Sequence, residues 1–129
     1  MAHRIYLVDD DRFLLDLYMV KFKNAGHDVT AFNSGQELLA ALRKPDAVMP
    51  DALLLDIIMP GVSGFDVLEA VRKEHLAAKA KIIILSNQGL DADIQKAKQY
   101  NIDGYIVKAS AIPSEVLSET LRIIDAPTP

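Results

Sequence analysis

"RIYLVDDDRF", residues 4–13, runs four apolar residues straight into three aspartates. The apolar part, Ile5 to Val8, is continuous rather than alternating, and strands covered on both faces of a parallel sheet read that way. Carboxylates about 4 Å apart repel by ~1 kcal/mol in water and by several times that at a half-buried site. A buried strand that ends by setting them side by side calls for a cation. Four more apolar runs follow along the chain: "VTAF" (29–32), "ALLL" (52–55), "IIIL" (82–85) and "YIV" (105–107).

Helical patterns separate these runs. Phe13, Leu14, Leu17 and Val20 recur at i, i+1, i+4 and i+7, and Gly26 is placed to end that helix. Ser34 with Glu37 reads as a capping box opening "LLAAL", and Ser63 with Asp66 repeats the arrangement before Val67, Leu68 and Val71. Asp91 can cap "ADIQKAKQY", Pro113 suits the first turn of "SEVLSETLRII", and "RKPDAVMPD" (43–51) reads as a longer surface loop. Five strands alternating with five helices predict an open α/β sheet with right-handed crossovers.

The bulk composition narrows the function classes. With 129 residues the chain is expected to form one domain, here 1–125, with 126–129 as a tail or the start of a linker. Half of the residues are hydrophobic and 25% are charged, which excludes a disordered chain. A net charge of −4 without a Lys/Arg cluster argues against direct contact with nucleic acid or a membrane surface. No cysteine is present, so neither a disulfide framework nor a thiolate site can form. No stretch approaches the ~20 apolar residues of a membrane span, and a cytoplasmic protein is expected. His3, His27 and His75 sit in unrelated contexts and are read as surface residues without a chemical role.

In open α/β sheets ligands gather beyond the carboxyl ends of the strands. The first strand ends at Asp9 and Asp10, the third at Asp56, the fourth at Ser86 and the fifth at Lys108. Three carboxylates without thiol or imidazole make a hard oxygen site suited to Mg²⁺, with Mn²⁺ as the alternative. One carboxylate could then attack phosphorus while the cation and the lysine ammonium neutralise the phosphoryl oxygens.

From "YLVDDD" through "LLLDIIMPGVSGFDVL" and "IIILSNQ" to "GYIVKAS", the chain resembles the receiver domain of two-component response regulators, and the resemblance spans nearly its whole length. It implies a flavodoxin-like (βα)5 doubly wound parallel sheet in strand order 2-1-3-4-5. It implies that Asp56 takes a phosphoryl group from a histidine of a sensor kinase or a histidine phosphotransfer protein. Asp10 would hold Mg²⁺ directly, Asp9 through water, Asp56 with one oxygen and Ile58 with its backbone carbonyl. Ser86 would be the switch hydroxyl, Tyr105 the rotating aromatic and Lys108 the ammonium at the phosphoryl group. The output would be an altered surface of the fourth helix, fifth strand and fifth helix, read by an unknown partner or used for a homodimer. Asp11 has no counterpart role and reads as a helix cap.

One departure concerns the residue after the lysine. Receivers of this kind commonly place proline there through a cis bond; Ala109 follows Lys108 here, and without proline a trans bond is expected. Ile58, Asn87 and Gln88 would border the path of a hydrolysing water, and none supplies a base, so slow self-hydrolysis is expected. Two other classes share parts of the pattern. Haloacid-dehalogenase-like phosphatases place the nucleophile after the first strand as Asp-x-Asp with an inserted cap, whereas this chain has adjacent aspartates and no room for a cap. A flavodoxin-like electron carrier needs a hydroxyl-rich phosphate loop where "DDDRF" stands. The reading preferred is a phospho-accepting switch that turns over no external substrate.

Overall fold

A computed structural model of the chain describes residues 2–57, 59, 61–86, 91–108 and 112–126, Asp91 by its backbone alone. Among them strands β1 (Arg4–Val8), β2 (Asp28–Phe32), β3 (Ala52–Leu55), β4 (Lys81–Ser86) and β5 (Gly104–Val107) alternate with helices α1 (Arg12–Asn24), α2 (Gly35–Leu42), α3 (Gly64–Lys73), α4 (Asp91–Lys98) and α5 (Pro113–Asp125). All pairings are parallel, in the order β2-β1-β3-β4-β5. This is the flavodoxin-like doubly wound sheet.

Alternation along the strands divides the core into two layers, because successive side chains leave opposite faces of a strand. Leu53 and Leu55 of β3 pack with Leu38 of α2 and Leu68 of α3 on one face. Leu54 of the same strand packs with Phe22 of α1 and Val116 of α5 on the other. Burial on both faces explains why β3 and β4 are unbroken apolar runs in the sequence.

Of the four residues that mark α1 in the sequence, only Leu14 packs against the core, and it is half-buried. Leu15, Tyr18 and Phe22 face the sheet, while Phe13, Leu17 and Val20 point to solvent, Phe13 at 75% exposure. Two apolar sets share this helix at helical spacing. The set carrying Tyr18 and Phe22 has the larger area to remove from water, which favours it as the buried face.

The helix ends follow local chemistry with two adjustments. Asp11 caps α1 by accepting from Leu14 N at 3.1 Å, and Gly26 after its end takes φ +92°. Ser63 and Asp66 form the full reciprocal box, and Pro113 stands in the first turn of α5. At α2 only half of the expected box forms: Ser34 Oγ accepts from Glu37 N at 3.1 Å. With the Asn33 amide oriented to satisfy both neighbours, the Glu37 carboxylate is taken up by Asn33, which also accepts from Arg12. The second adjustment concerns α4, which begins at Asp91 itself; the expected cap by the Asp91 side chain lies outside the described residues.

His3 and His27 are not independent surface groups. Their rings stack with centroids 5.6 Å apart, and His27 Nδ1 accepts from His3 N at 3.1 Å, tying β1 to the start of β2.

Candidate functional site

The strand register builds the site. Val8 pairs with Leu55 and Leu55 with Ile84, so the next residues, Asp9 and Asp56, leave the sheet side by side; Asp56 N donates to Val8 O at 3.0 Å. One strand further, Ser86 pairs with Val107, which places Lys108 just past it. The carboxyl edge of the sheet therefore brings together Asp9, Asp56, Ser86 and Lys108 from β1, β3, β4 and β5.

Burial then controls their chemistry. Asp9, Asp56 and Ser86 are buried, whereas Asp10 is exposed at the rim. An uncompensated buried carboxylate is costly, so each needs a partner. Lys108 Nζ supplies one to both, donating to Asp9 Oδ2 and, at 3.2 Å, to Asp56 Oδ2. Burial alone would pull the Lys108 ammonium down; hydrogen bonding to Asp9 and the fields of Asp56 and Asp9 overcome this and hold it above its ordinary value. The other oxygen of Asp9 accepts from Asp11 N at 2.9 Å. Tyr18 lies beneath this group, its hydroxyl pushed up by burial and offset by the Lys108 charge.

Carboxylate oxygens of Asp9, Asp10 and Asp56 lie within 4.8 Å of one another. That is an all-oxygen set of three potential anions with one member open to solvent, which fits a hard divalent cation such as Mg²⁺. The Ile58 carbonyl expected to complete it lies outside the described residues, as do Asn87, Gln88 and the Lys108–Ala109 bond.

Tyr105 packs against the core layer containing α3, and the Ser86 side chain lies near enough to act on its phenol. Burial, then the charge of Asp93 in α4, push the phenol up, and Ser86 opposes them. The expected switch pair thus stands on neighbouring strands β4 and β5, with Tyr105 half-buried at the edge of the sheet.

Gly64 also shapes the site, a role that the sequence analysis does not assign to it. A Cβ there would lie 2.3 Å from Asp56 O and 2.6 Å from Ile57 Cα, and its N–H donates to Ile57 O at 2.7 Å. Only a residue without a side chain lets the start of α3 rest on the backbone that carries Asp56. The two glycines of "GVSGFD" were the visible signal.

A family model for the response regulator receiver domain matches residues 5–121. The DNA-binding response regulator MtrA of Mycobacterium tuberculosis is 30% identical over 108 residues, 84% of this chain and 45% of MtrA. The chain therefore spans about half the length of the curated relatives it matches. A CheY-like receiver domain protein from Methanospirillum hungatei superposes with a TM-score of 0.85 at 24% identity, covering 97% of this chain and 95% of that one. The phosphorylated cyanobacterial phytochrome response regulator RcpA gives 0.78 at 25% identity, covering 96% and 89%.

Proposed function

This chain belongs to the response regulator receiver domain family, and on that premise we propose that Asp56 accepts a phosphoryl group from a phosphohistidine of a sensor kinase or phosphotransfer protein. The observation that carries the reading is the shared ammonium: Lys108 is held between buried Asp9 and Asp56, beside exposed Asp10. The phosphorylated state reported for RcpA supports it by likeness.

Asp9, Asp10 and Asp56 are the residues that would hold Mg²⁺, together with the Ile58 carbonyl. That cation would offset charge on the phosphoryl oxygens. An Asp56 carboxylate oxygen attacks phosphorus; the P–N bond to the donor imidazole breaks, and its electron pair returns to the imidazole nitrogen. Lys108, already within reach of Asp56, then pairs with a phosphoryl oxygen, so the site exchanges a carboxylate–ammonium contact for a phosphoryl–ammonium one. The Ser86 hydroxyl turns to the new oxygens and leaves the Tyr105 hydroxyl. Tyr105 repacks, and the surface formed by α4, β5 and α5 changes for an output partner or a second copy of the chain.

The protein acts as a switch rather than as a turnover enzyme. Residues 1–125 form the receiver, and 126–129 are a tail or linker. Among the described residues no helix is long and apolar enough to cross a membrane. Incubation with a phosphohistidine-bearing kinase domain should move the label to this chain and not to Asp56→Asn; equal labelling of both would refute the acceptor assignment.

A further inference from the structure

Helix α4 is fastened at one end. Arg72 of α3 donates from Nε to Tyr100 O and from Nη2 to Asn101 O, both at 2.8 Å, covering carbonyls just past the end of α4. A cation there also meets the negative end of the helix dipole. One face of α3 adds a second grip, because Phe65 lies two turns from Arg72. Lys96 Nζ sits 4.3 Å from the Phe65 ring centroid, and the Tyr100 ring lies 6.5 Å from it. The turn after α4 is tied to β4 as well: Asp103 Oδ2 accepts from Ile82 N at 2.8 Å, and Asp103 N donates to Ile82 O at 2.7 Å. Ala97 is fully buried, whereas Ala92 and Gln95 are exposed. Among the described residues, the side-chain hydrogen bonds and ring contacts that reach α4 and its following turn all fall between Lys96 and Asp103.

The opposite end of α4 adjoins the switch. Only residues 87–90 separate Ser86 from Asp91, and the Asp93 charge acts on the Tyr105 phenol. We propose that Arg72 is a positioning residue that pins the C-terminal end of α4, so that displacement of Ser86 tilts the helix about this end instead of sliding it as a body. The inference rests on the phospho-acceptor reading for the displacement, and on the contacts at the C-terminal end of α4, led by those of Arg72, for the pivot. The reshaped part of the output face is then the end holding Asp91 to Gln95. Lys96 and Lys98 stay nearly in place.

Two tyrosines report the two ends, Tyr105 beside the switch and Tyr100 at the pivot. In ring-labelled protein with Mg²⁺ and beryllofluoride, followed by NMR, the Tyr105 resonance should shift and that of Tyr100 should not. In Arg72→Gln, which keeps a polar stem without the guanidinium fork, both should shift. A Tyr100 shift in the unaltered protein, or a silent Tyr100 in Arg72→Gln, would overturn the pivot. Fluorine NMR of the bound beryllofluoride separates the two readings: a loaded protein with a silent Tyr105 overturns the pivot, and a protein that does not load overturns the acceptor assignment. The free protein tests the pin without any donor. There Arg72→Gln should speed amide exchange at Tyr100 and Asn101 about tenfold while leaving Ile83 and Ile84 unchanged; unaltered exchange at those two amides would also overturn it.

Discussion

Lys108 Nζ lies 3.2 Å from Asp56 Oδ2 while also donating to Asp9, so one ammonium partly neutralises two of the three carboxylates that could hold a divalent cation. Lysine and metal therefore compete electrostatically for the same oxygens, although the metal contacts do not require the ammonium. Lys108→Ala should bind Mg²⁺ at least as tightly as the unaltered protein. Without metal it should lose about 3–5 kcal/mol of stability, because two buried carboxylates lose the ammonium they share. Magnesium titration and urea unfolding of the variant check both halves, and weaker Mg²⁺ binding would contradict this division of labour.

Gly64→Ala should displace the acceptor backbone. The added carbon meets Asp56 O at 2.3 Å, a distance that only backbone movement can relieve. We expect a loss of more than about 2 kcal/mol in urea unfolding and slower labelling of Asp56 by a small phosphodonor. Unchanged stability and labelling would show that α3 can retreat freely.

The two apolar faces of α1 should differ sharply in what they contribute. Leu15→Ala should cost about 2–5 kcal/mol, whereas Leu17→Ser, at a position 43% exposed, should stay within about 0.5 kcal/mol. Equal costs in chemical denaturation would mean that the outer stripe is covered.

The histidine pair predicts an acid-side loss of stability. Burial, followed by the neighbouring His3, holds the His27 imidazole below its ordinary value, and its Nδ1 is already accepting from His3 N. The unfolded chain therefore binds the proton more readily. Stability should fall as pH drops through the ordinary imidazole range, about 6.5, and level off below the folded value. His27→Asn, which can still accept at that position, should flatten this part of the profile in unfolding midpoints measured between pH 8 and 5. An unchanged slope would remove His27 as the cause.

Much of this organisation is legible in the chain because it is local. Continuous runs such as "ALLL" and "IIIL" identify strands buried on both faces, and the polar residues that follow them must share one edge once the strands are parallel. Asp9, Asp56, Ser86 and Lys108 come together for that reason alone. The rest depends on tertiary contacts that periodicity does not encode. Phe13, Leu17 and Val20 have helical spacing as good as that of Leu15, Tyr18 and Phe22, and only docking on the sheet decides between them. Gly64 looks like any turn glycine until the Asp56 backbone is laid against it. The stacking of His3 on His27 joins the residues just before two neighbouring strands, and Glu37 leaves its capping partner because Asn33 reaches it.

The central claim is that Asp56 is the single phosphoryl acceptor, and intact mass tests it most directly. Incubation with Mg²⁺ and acetyl phosphate should add one phosphoryl group to the unaltered protein and none to Asp56→Asn, with both folded by circular dichroism. A phosphoryl adduct on Asp56→Asn, or none on the unaltered chain, would contradict the account.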